Sequence, residues 1–399
     1  MTGAAPAAAF DAEAVRAAEL PALGEGIYLN AAGYGPLPAR TLKAMEAFQR
    51  RRHEGRVGAA DFAPALDGAR AAAARLIGAR PEEVALTPNT NVGLNLAADI
   101  AAARRATGGH NPERRRGVLL SDREFPANVY PWLSLEREGM RVERLATDAL
   151  GRPREDALLE RLHGDDVAVF TISAVQFATG HRASLAAFGR VCSERGILFV
   201  VDAIQQVGAR PLDVRGAQVD VLACGAQKWL CSPWGSGFAY VRPELAREVE
   251  PRRPGWLSFQ GSLDFERLVD YDPELLDDGR RFEVGSLGVQ DHLGMARSIE
   301  LLLELGPEAV WAHIQAVQAP LLAWAEGRED VTLVSDASPA HRSGIVCLRP
   351  ANPARAYAAL ERAGVTCALR EGALRFAPHF YNTVEEMERV VGILDGVAS

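Results

Sequence analysis

Lysine is almost absent from this chain. Among the 44 lysines and arginines in 399 residues, the lysines are Lys43 and Lys228 alone. A sequence that puts arginine at nearly every cationic position keeps lysine where a titratable amine is needed, because a guanidinium holds its proton at any ordinary pH. Lys43 sits in Thr41–Arg50, an amphipathic helical stretch where a surface cation is ordinary. Lys228 sits in Leu222-Ala-Cys-Gly-Ala-Gln-Lys-Trp-Leu-Cys231, a largely apolar segment. A solvated surface position remains the plain alternative for any one lysine.

Other scarcities narrow the class. The five cysteines (Cys192, Cys224, Cys231, Cys347, Cys367) are odd in number and show no C-x-x-C spacing. Neither a disulfide framework nor a metal site is expected from them, and a reducing cytoplasm is. No apolar run approaches the ~20 residues of a membrane-spanning helix. The alanine-rich first ten residues lack a basic start, an apolar core and a cleavage site, so they read as a frayed start. Excess positive charge is missing as well. The formal net charge is −8 and the pI about 5.6, which points away from nucleic acid and anionic membranes as partners. Gly33-Tyr-Gly35 and Gly235-Ser-Gly237 do not complete G-x-G-x-x-G, so a dinucleotide-binding Rossmann protein is disfavoured.

What is present is an alternation of short apolar runs with helical patterns, the signal of a parallel sheet with helical crossovers. Strands are expected at Gly117–Ser121, Asp166–Ser173, Gly196–Asp202, Asp220–Cys224 and Gly235–Val241. Helices are expected from about Ser184 to Arg195 and over Val289–Leu305, the latter stopped by Gly306-Pro307. Beyond it the pattern is shorter and mixed. Strands are expected near Gly344–Leu348 and Ala373–Ala377, and helices near Pro353–Ala363 and Val384–Leu394. The division expected is a large α/β domain over residues 21–284 and a smaller α+β domain over 285–399, with residues 1–20 packed on it.

Open parallel sheets bind ligands beyond the carboxyl ends of their strands, and the candidate residues fall there. Asp202 ends the most apolar strand. It reads either as a helix N-cap or as a carboxylate held against a protonated ring nitrogen. Gln205 follows one helical turn later, within reach of a ring hydroxyl. Thr87-Pro-Asn-Thr-Asn-Val-Gly-Leu-Asn95 is a polar turn opening a helix at about Val92. Its free N–H groups suit a phosphate, with Thr90 and Asn91 as contacts; plain capping is the alternative. Phe125 follows a strand and could stack on an aromatic ring or belong to the core.

The order of these residues, with Val200-Val-Asp-Ala-Ile-Gln205 followed by Gly225-Ala-Gln-Lys-Trp229, resembles the class V aminotransferase family of pyridoxal-5′-phosphate (PLP) enzymes. That family includes cysteine desulfurases, selenocysteine lyases, isopenicillin N epimerase-like proteins, kynureninase and serine–pyruvate type aminotransferases. The resemblance runs from Tyr28-Leu-Asn-Ala-Ala-Gly33 to Arg375-Phe-Ala-Pro-His-Phe-Tyr-Asn-Thr383. It implies PLP as cofactor and fold type I: a large domain with a mainly parallel seven-stranded sheet plus the smaller C-terminal domain. It also implies Lys228 as the Schiff-base lysine, Asp202 against the pyridine nitrogen and Gln205 near the ring oxygen. Phe125 would lie on the ring, and Thr90, Asn91 and Gln227 would hold the phosphate. Ser286 would reach the phosphate of a neighbouring subunit, hence a homodimer. Arg375 would bind the substrate α-carboxylate, with Asn30 and Gln176 close by.

One departure matters. Desulfurases carry a nucleophilic cysteine on a loop just before the carboxylate arginine, whereas Cys367-Ala-Leu-Arg-Glu-Gly-Ala-Leu-Arg375 is short, and Cys367 alternates like a buried residue. The residue before Lys228 is glutamine rather than the desulfurase histidine. The resemblance therefore leads to a lyase acting on a cysteine-derived or otherwise β-substituted amino acid. A class V aminotransferase is the runner-up, then an amino-acid epimerase. A catalytically silent scaffold of the same fold is the alternative from outside enzymology, and intact Lys228, Asp202 and Arg375 speak against it.

Overall fold

The computed structural model describes residues 10–24, 26–106 and 115–398. Its strands are β1 (Ile27–Tyr28), β2 (Val84–Thr87), β3 (Gly117–Ser121), β4 (Arg141–Leu145), β5 (Val167–Ser173), β6 (Leu198–Asp202), β7 (Val221–Gly225), β8 (Gly237–Val241), β9 (Val331–Leu333), β10 (Val346–Pro350), β11 (Val365–Thr366), β12 (Ala368–Arg370) and β13 (Ala373–Phe376). Seven of them make one sheet in the order β2-β8-β7-β6-β5-β3-β4. Strands β3 to β7 run parallel, and β8 lies antiparallel between β7 and β2. This is the α/β, mainly parallel fold type I sheet that the resemblance implies.

Strand β6 shows why these runs become strands buried on both faces. Leu198 and Val200 enter one apolar cluster while Phe199 and Val201 enter the other, as the two-residue period of a strand requires. Phe199 stacks on Phe170 of β5 with ring centroids 5.7 Å apart. Each such side chain, fully buried, stabilises the fold by about 1.5–3 kcal/mol. The register sets Ser173 opposite Asp202 and Asp202 opposite Ala223. The carboxyl ends of β5, β6 and β7 therefore open on one edge of the sheet. Helix Thr90–Ala106 crosses β7 closely; a Cβ on Gly93 would come within 2.8 Å of the Ala223 Cβ. β8 begins two residues later than expected because Gly235 turns the chain at φ +81°.

The C-terminal part forms an antiparallel sheet in the order β12-β13-β10-β9. Helices Pro307–Ala325, Pro353–Arg362 and Val384–Ala398 cover one of its faces and enclose a third apolar cluster that includes Leu348, Leu374 and Phe376. β1 pairs with β11, and Asn30 bridges to Ala377, so the N-terminal segment joins this layer. Phe10 lies 5.0 Å from the His313 ring, and Arg16 is ion-paired with Glu386. Residues 1–9 of the expected N-terminal contribution lie outside the described residues.

Gly306-Pro307 ends helix Val289–Leu305 as expected, but it also starts Pro307–Ala325. Proline at the first helical position lacks an N–H that would have had no partner there, and its φ is already helical. In the sequence that stretch carries no helix signal beyond the stop at Gly306-Pro307. Helix Ala59–Ile77 is likewise unsignalled, because its run of small alanines gives a weak periodic contrast. Among the described residues no helix is long and apolar enough to cross a membrane.

A buried ion pair fixes the chain just before Ser286. Glu283 accepts from Arg70 Nε and Nη2 at 3.0 and 2.8 Å and from the Leu86 N–H at 2.9 Å. Removing one member strands the other charge. Arg70→Ala is expected to cost about 3–5 kcal/mol in urea unfolding; a loss below about 1 kcal/mol would show that the pair contributes little.

Candidate active site

Lys228 stands just past β7, at the sheet edge where β5 and β6 end. Its Nζ lies 5.6 Å from the centroid of the Phe125 ring, which meets Phe177 edge-on at 5.2 Å. Burial lowers the pKa of the amine to about 8; Asp202 opposes the shift, and Arg375 and Arg370 reinforce it. Asp202, 2% exposed, is pushed up to about 6 by burial, against the Ile204 N–H and the Lys228 charge. Its Oδ1 accepts from Ile204 N–H at 3.1 Å, so the capping contact and the buried carboxylate are one residue.

The lysine turn is clamped from two sides. Trp229 Nε1 donates to Gln205 Oε1 at 2.8 Å, and Gln205 Nε2 donates to the Ala32 carbonyl at 3.1 Å. Gln205 thus spends its carbonyl oxygen and one amide hydrogen on the protein and keeps a second hydrogen. His379 Nε2 donates to the Trp229 carbonyl at 2.7 Å, while its Nδ1 accepts the Phe380 N–H at 2.8 Å. These partners assign the neutral Nε2–H tautomer, and burial holds the His379 pKa down at about 4. A Cβ on Gly35 would fall 2.1 Å from the Lys228 carbonyl, so the N-terminal segment can lie against this turn with no side chain there.

Polar atoms gather over Gly225. Thr90 Oγ1 accepts the Gly225 N–H at 2.8 Å, and a Cβ on Gly225 would meet Gln227 Oε1 at 2.7 Å and Thr90 Oγ1 at 3.0 Å. The helix cap is Asn89, whose Oδ1 accepts the Val92 N–H at 3.0 Å. Thr90 and Gln227 are therefore together at a helix N-terminus, where an anion is favoured. Asn91 lies beside them, exposed.

Arg375 is 3% exposed and has no carboxylate partner among the described residues. Its Nη1 donates to the Phe177 carbonyl at 3.0 Å, and its Nε is buried without a partner. Burial lowers its pKa to about 10. A buried guanidinium in this state favours an incoming anion. Asn30 Oδ1 and Gln176 Oε1 are also buried and unpartnered. Ser286 is exposed in the turn before helix Val289–Leu305 and makes no hydrogen bond to these residues.

Glu124 was not read from the sequence. This buried carboxyl accepts from the Ser173 N–H (3.1 Å) and Oγ–H (2.5 Å), from Asn128 Nδ2 (2.9 Å) and from Gln176 Nε2 (2.6 Å). Burial raises its pKa against those four donors. It ties the Phe125 turn to the end of β5 and fixes the Gln176 amide nitrogen inward. Its only sequence signal is its place before Phe125, which does not distinguish it from a surface glutamate. Away from this edge, Glu155, His181 and His341 bring potential ligand atoms within 4.8 Å of one another. The two imidazoles stack with 16° between their planes, so their in-plane lone pairs cannot converge on one ion without rearrangement.

A rare, half-buried lysine, a strand-end aspartate and an anion cradle at a helix N-terminus now lie on one sheet edge. The profile of the Aminotransferase class-V family matches residues 27–390. The chain belongs to the class V aminotransferase family. It is a PLP-dependent enzyme, and the family acts on amino acids. The chain is 29% identical over 318 residues to the uncharacterized aminotransferase YcbU of Bacillus subtilis, covering 80% of each protein. It is 29% identical over 397 residues to isopenicillin N epimerase of Streptomyces clavuligerus, covering 93% of this chain and 94% of that one. Its fold matches the cystine C–S lyase C-DES, solved with its reaction product cysteine persulfide, at TM-score 0.83 and 21% identity over 96% of this chain and 100% of that one.

The residues present suit PLP chemically: the Lys228 amine could receive its aldehyde, the buried Asp202 carboxylate its ring nitrogen, and the polar atoms over Gly225 its phosphate. An amine must be neutral to attack an aldehyde. Cofactor uptake by the stripped protein is therefore expected to accelerate as pH rises through about 8, rather than through the ~10.4 of a free lysine. Stopped-flow reconstitution against pH measures this; a midpoint near 10 would mean that the amine is solvated.

Proposed function

We propose that this enzyme is a lyase that breaks the bond between Cβ and its substituent in a β-substituted amino acid, in the first instance the carbon–sulfur bond of a cysteine derivative. The observation that carries this reading is the state of the thiols. All five cysteines are buried, and burial pushes every thiol up, Cys347 and Cys367 to about 12. A desulfurase that takes sulfur onto its own protein needs an accessible thiolate, and none of these cysteines supplies one. The leaving group would therefore depart into solvent. The likeness to the cystine C–S lyase supports this direction, and the unpaired thiols suit a reducing cytoplasm.

When bound, PLP supplies an electron sink beside the substrate Cα. In this reading Lys228 would carry the cofactor, and its amine, freed when the substrate's amine displaces it, would take the Cα proton. Asp202 would hold the ring nitrogen protonated, the free amide hydrogen of Gln205 would be available to the ring oxygen, and Phe125 would pack against the ring. Thr90, Asn91, Gln227 and the helix N-terminus hold the phosphate, joined by the partner subunit's Ser286. Arg375 grips the α-carboxylate by its two-pronged edge, with Asn30 and Gln176 beside it. The Cβ–substituent electron pair leaves with the substituent, and hydrolysis of the remainder gives a keto acid and ammonia. Residues 21–284 would form the large cofactor-binding domain, and 285–399 with residues 1–20 the smaller one.

A homodimer belongs to this reading. Leu263, Phe265, Val269, Tyr271 and Val284 stand 53–86% exposed in the segment leading to Ser286. Apolar surface of this extent favours a protein contact.

The deciding experiment supplies the holoenzyme with β-substituted amino acids and no keto-acid acceptor. Keto acid and ammonia released over many turnovers support the lyase. A single turnover that stops until a keto acid is added would replace it with the aminotransferase, the activity in the name of the relative YcbU. Loss of optical activity without keto acid would indicate epimerisation.

A further inference from the structure

We infer that the substrate carries a second anionic group, beyond the α-carboxylate, and that Arg370 receives it. The inference rests on the reading of Arg375 as the α-carboxylate anchor. In the β12–β13 hairpin Ala368 lies opposite Arg375, and Arg370 lies opposite Ala373. Strand side chains alternate between faces, so Ala368, Arg370, Ala373 and Arg375 share one face. The other face carries Leu374 and Phe376 into the third apolar cluster. Arg370 and Arg375 are thus diagonal cross-strand neighbours, a spacing of about 7–8 Å between α-carbons.

Like charges at that spacing oppose each other unless an anion lies between them. Among the described residues neither guanidinium meets a carboxylate. Arg375 donates to the Phe177 carbonyl, and Arg370 Nη1 only to its neighbour's carbonyl, Leu369 O, at 3.1 Å. The nearest acid in sequence, Glu371, faces Arg123 at 3.7 Å instead. The positive charge of Arg370 is felt at both Lys228 and Arg375, lowering the pKa of each, which puts it within electrostatic reach of the reacting centre.

The hairpin gives Arg370 a fixed base. Its two turn residues, Glu371 and Gly372, are both left-handed at φ +46° and +75°, the pattern of a tight two-residue turn. Arg375 is buried at the floor of the site while Arg370 is exposed. A ligand held at Arg375 by its α-carboxylate would extend its side chain outward, past Lys228. Arg370 is then positioned for a carboxylate or comparable oxyanion on the departing substituent. The substrate class is a β-substituted amino acid whose leaving group is itself acidic.

The test compares S-carboxymethyl-L-cysteine with S-ethyl-L-cysteine, which share the thioether and differ in the terminal charge. Each is titrated into the PLP-loaded enzyme and its Kd read from the shift of the cofactor's visible band, so the readout does not depend on elimination occurring. We expect the acidic amino acid to bind at least about tenfold tighter, and Arg370→Gln to bring the ratio of the two Kd values close to one. Raised ionic strength should narrow the ratio in the same direction. Equal Kd values in the unaltered enzyme, or a preference that survives Arg370→Gln, overturn the assignment and leave the amino-acid reading standing. No band shift with either compound would overturn that underlying reading, and this inference with it.

Discussion

Lys228→Ala protein is expected to fold, to lose the covalently held cofactor and its visible band, and to turn over slower by a factor of about 10³ or more. The fold should survive for an electrostatic reason. Asp202 already stands at about 6, with Lys228 holding it down. Without that cation the carboxyl takes up a proton more readily, so the deletion leaves a neutral acid rather than a stranded buried charge. Melting temperature and circular dichroism should therefore change little while the absorbance band disappears. A mutant that retained the full band and normal rates would remove Lys228 from the chemistry.

Arg375→Gln should weaken amino-acid binding and at the same time stabilise the substrate-free protein. The guanidinium is buried with an unpartnered Nε and no carboxylate, a state that costs folding free energy. Losing two charge-assisted hydrogen bonds to a carboxylate removes about 3 kcal/mol, on the order of 10²-fold in Kd. Amino-acid titration of the cofactor band reads the first effect, and thermal unfolding without substrate reads the second. Unchanged binding would show that Arg375 serves another purpose. A fall in melting temperature would show that its protein contacts outweigh its desolvation.

The parts of this site that were legible in the sequence are those where local chemistry and position coincide. Lys228 stood out because a guanidinium could have filled an ordinary cationic position but not one that needs a removable proton. Asp202 stood out because an ionisable residue ends a wholly apolar strand, and the structure buries it to 2% exposure. Five strands of the seven-stranded sheet were legible because buried strands read as continuous apolar runs; β2, only four residues long, and β4, which carries Arg141, Glu143 and Arg144 at the sheet margin, show no such run. Glu124 and His379 were not legible. Their roles come from partners brought in by the fold, Ser173 and Gln176 for one and the Trp229 carbonyl for the other. The same holds for Gln205, whose place after Asp202 was readable but whose hold on Trp229 required the tertiary contact. Helix Pro307–Ala325 was missed because Gly-Pro is both a stop and a start, and only the packing beyond it tells which applies.

The scarcity of lysine makes one measurement unusually clean. The loaded enzyme is reduced with borohydride, digested, and mapped by mass for the phosphopyridoxyl group. With two lysines in the chain, Lys43 exposed on helix Ala39–His53 and Lys228 at the end of β7, the label has two side-chain amines to choose between. Stoichiometric label is expected on Lys228 and none on Lys43. Label on Lys43, or protein that takes up no label after incubation with the cofactor, would contradict the assignment of this site.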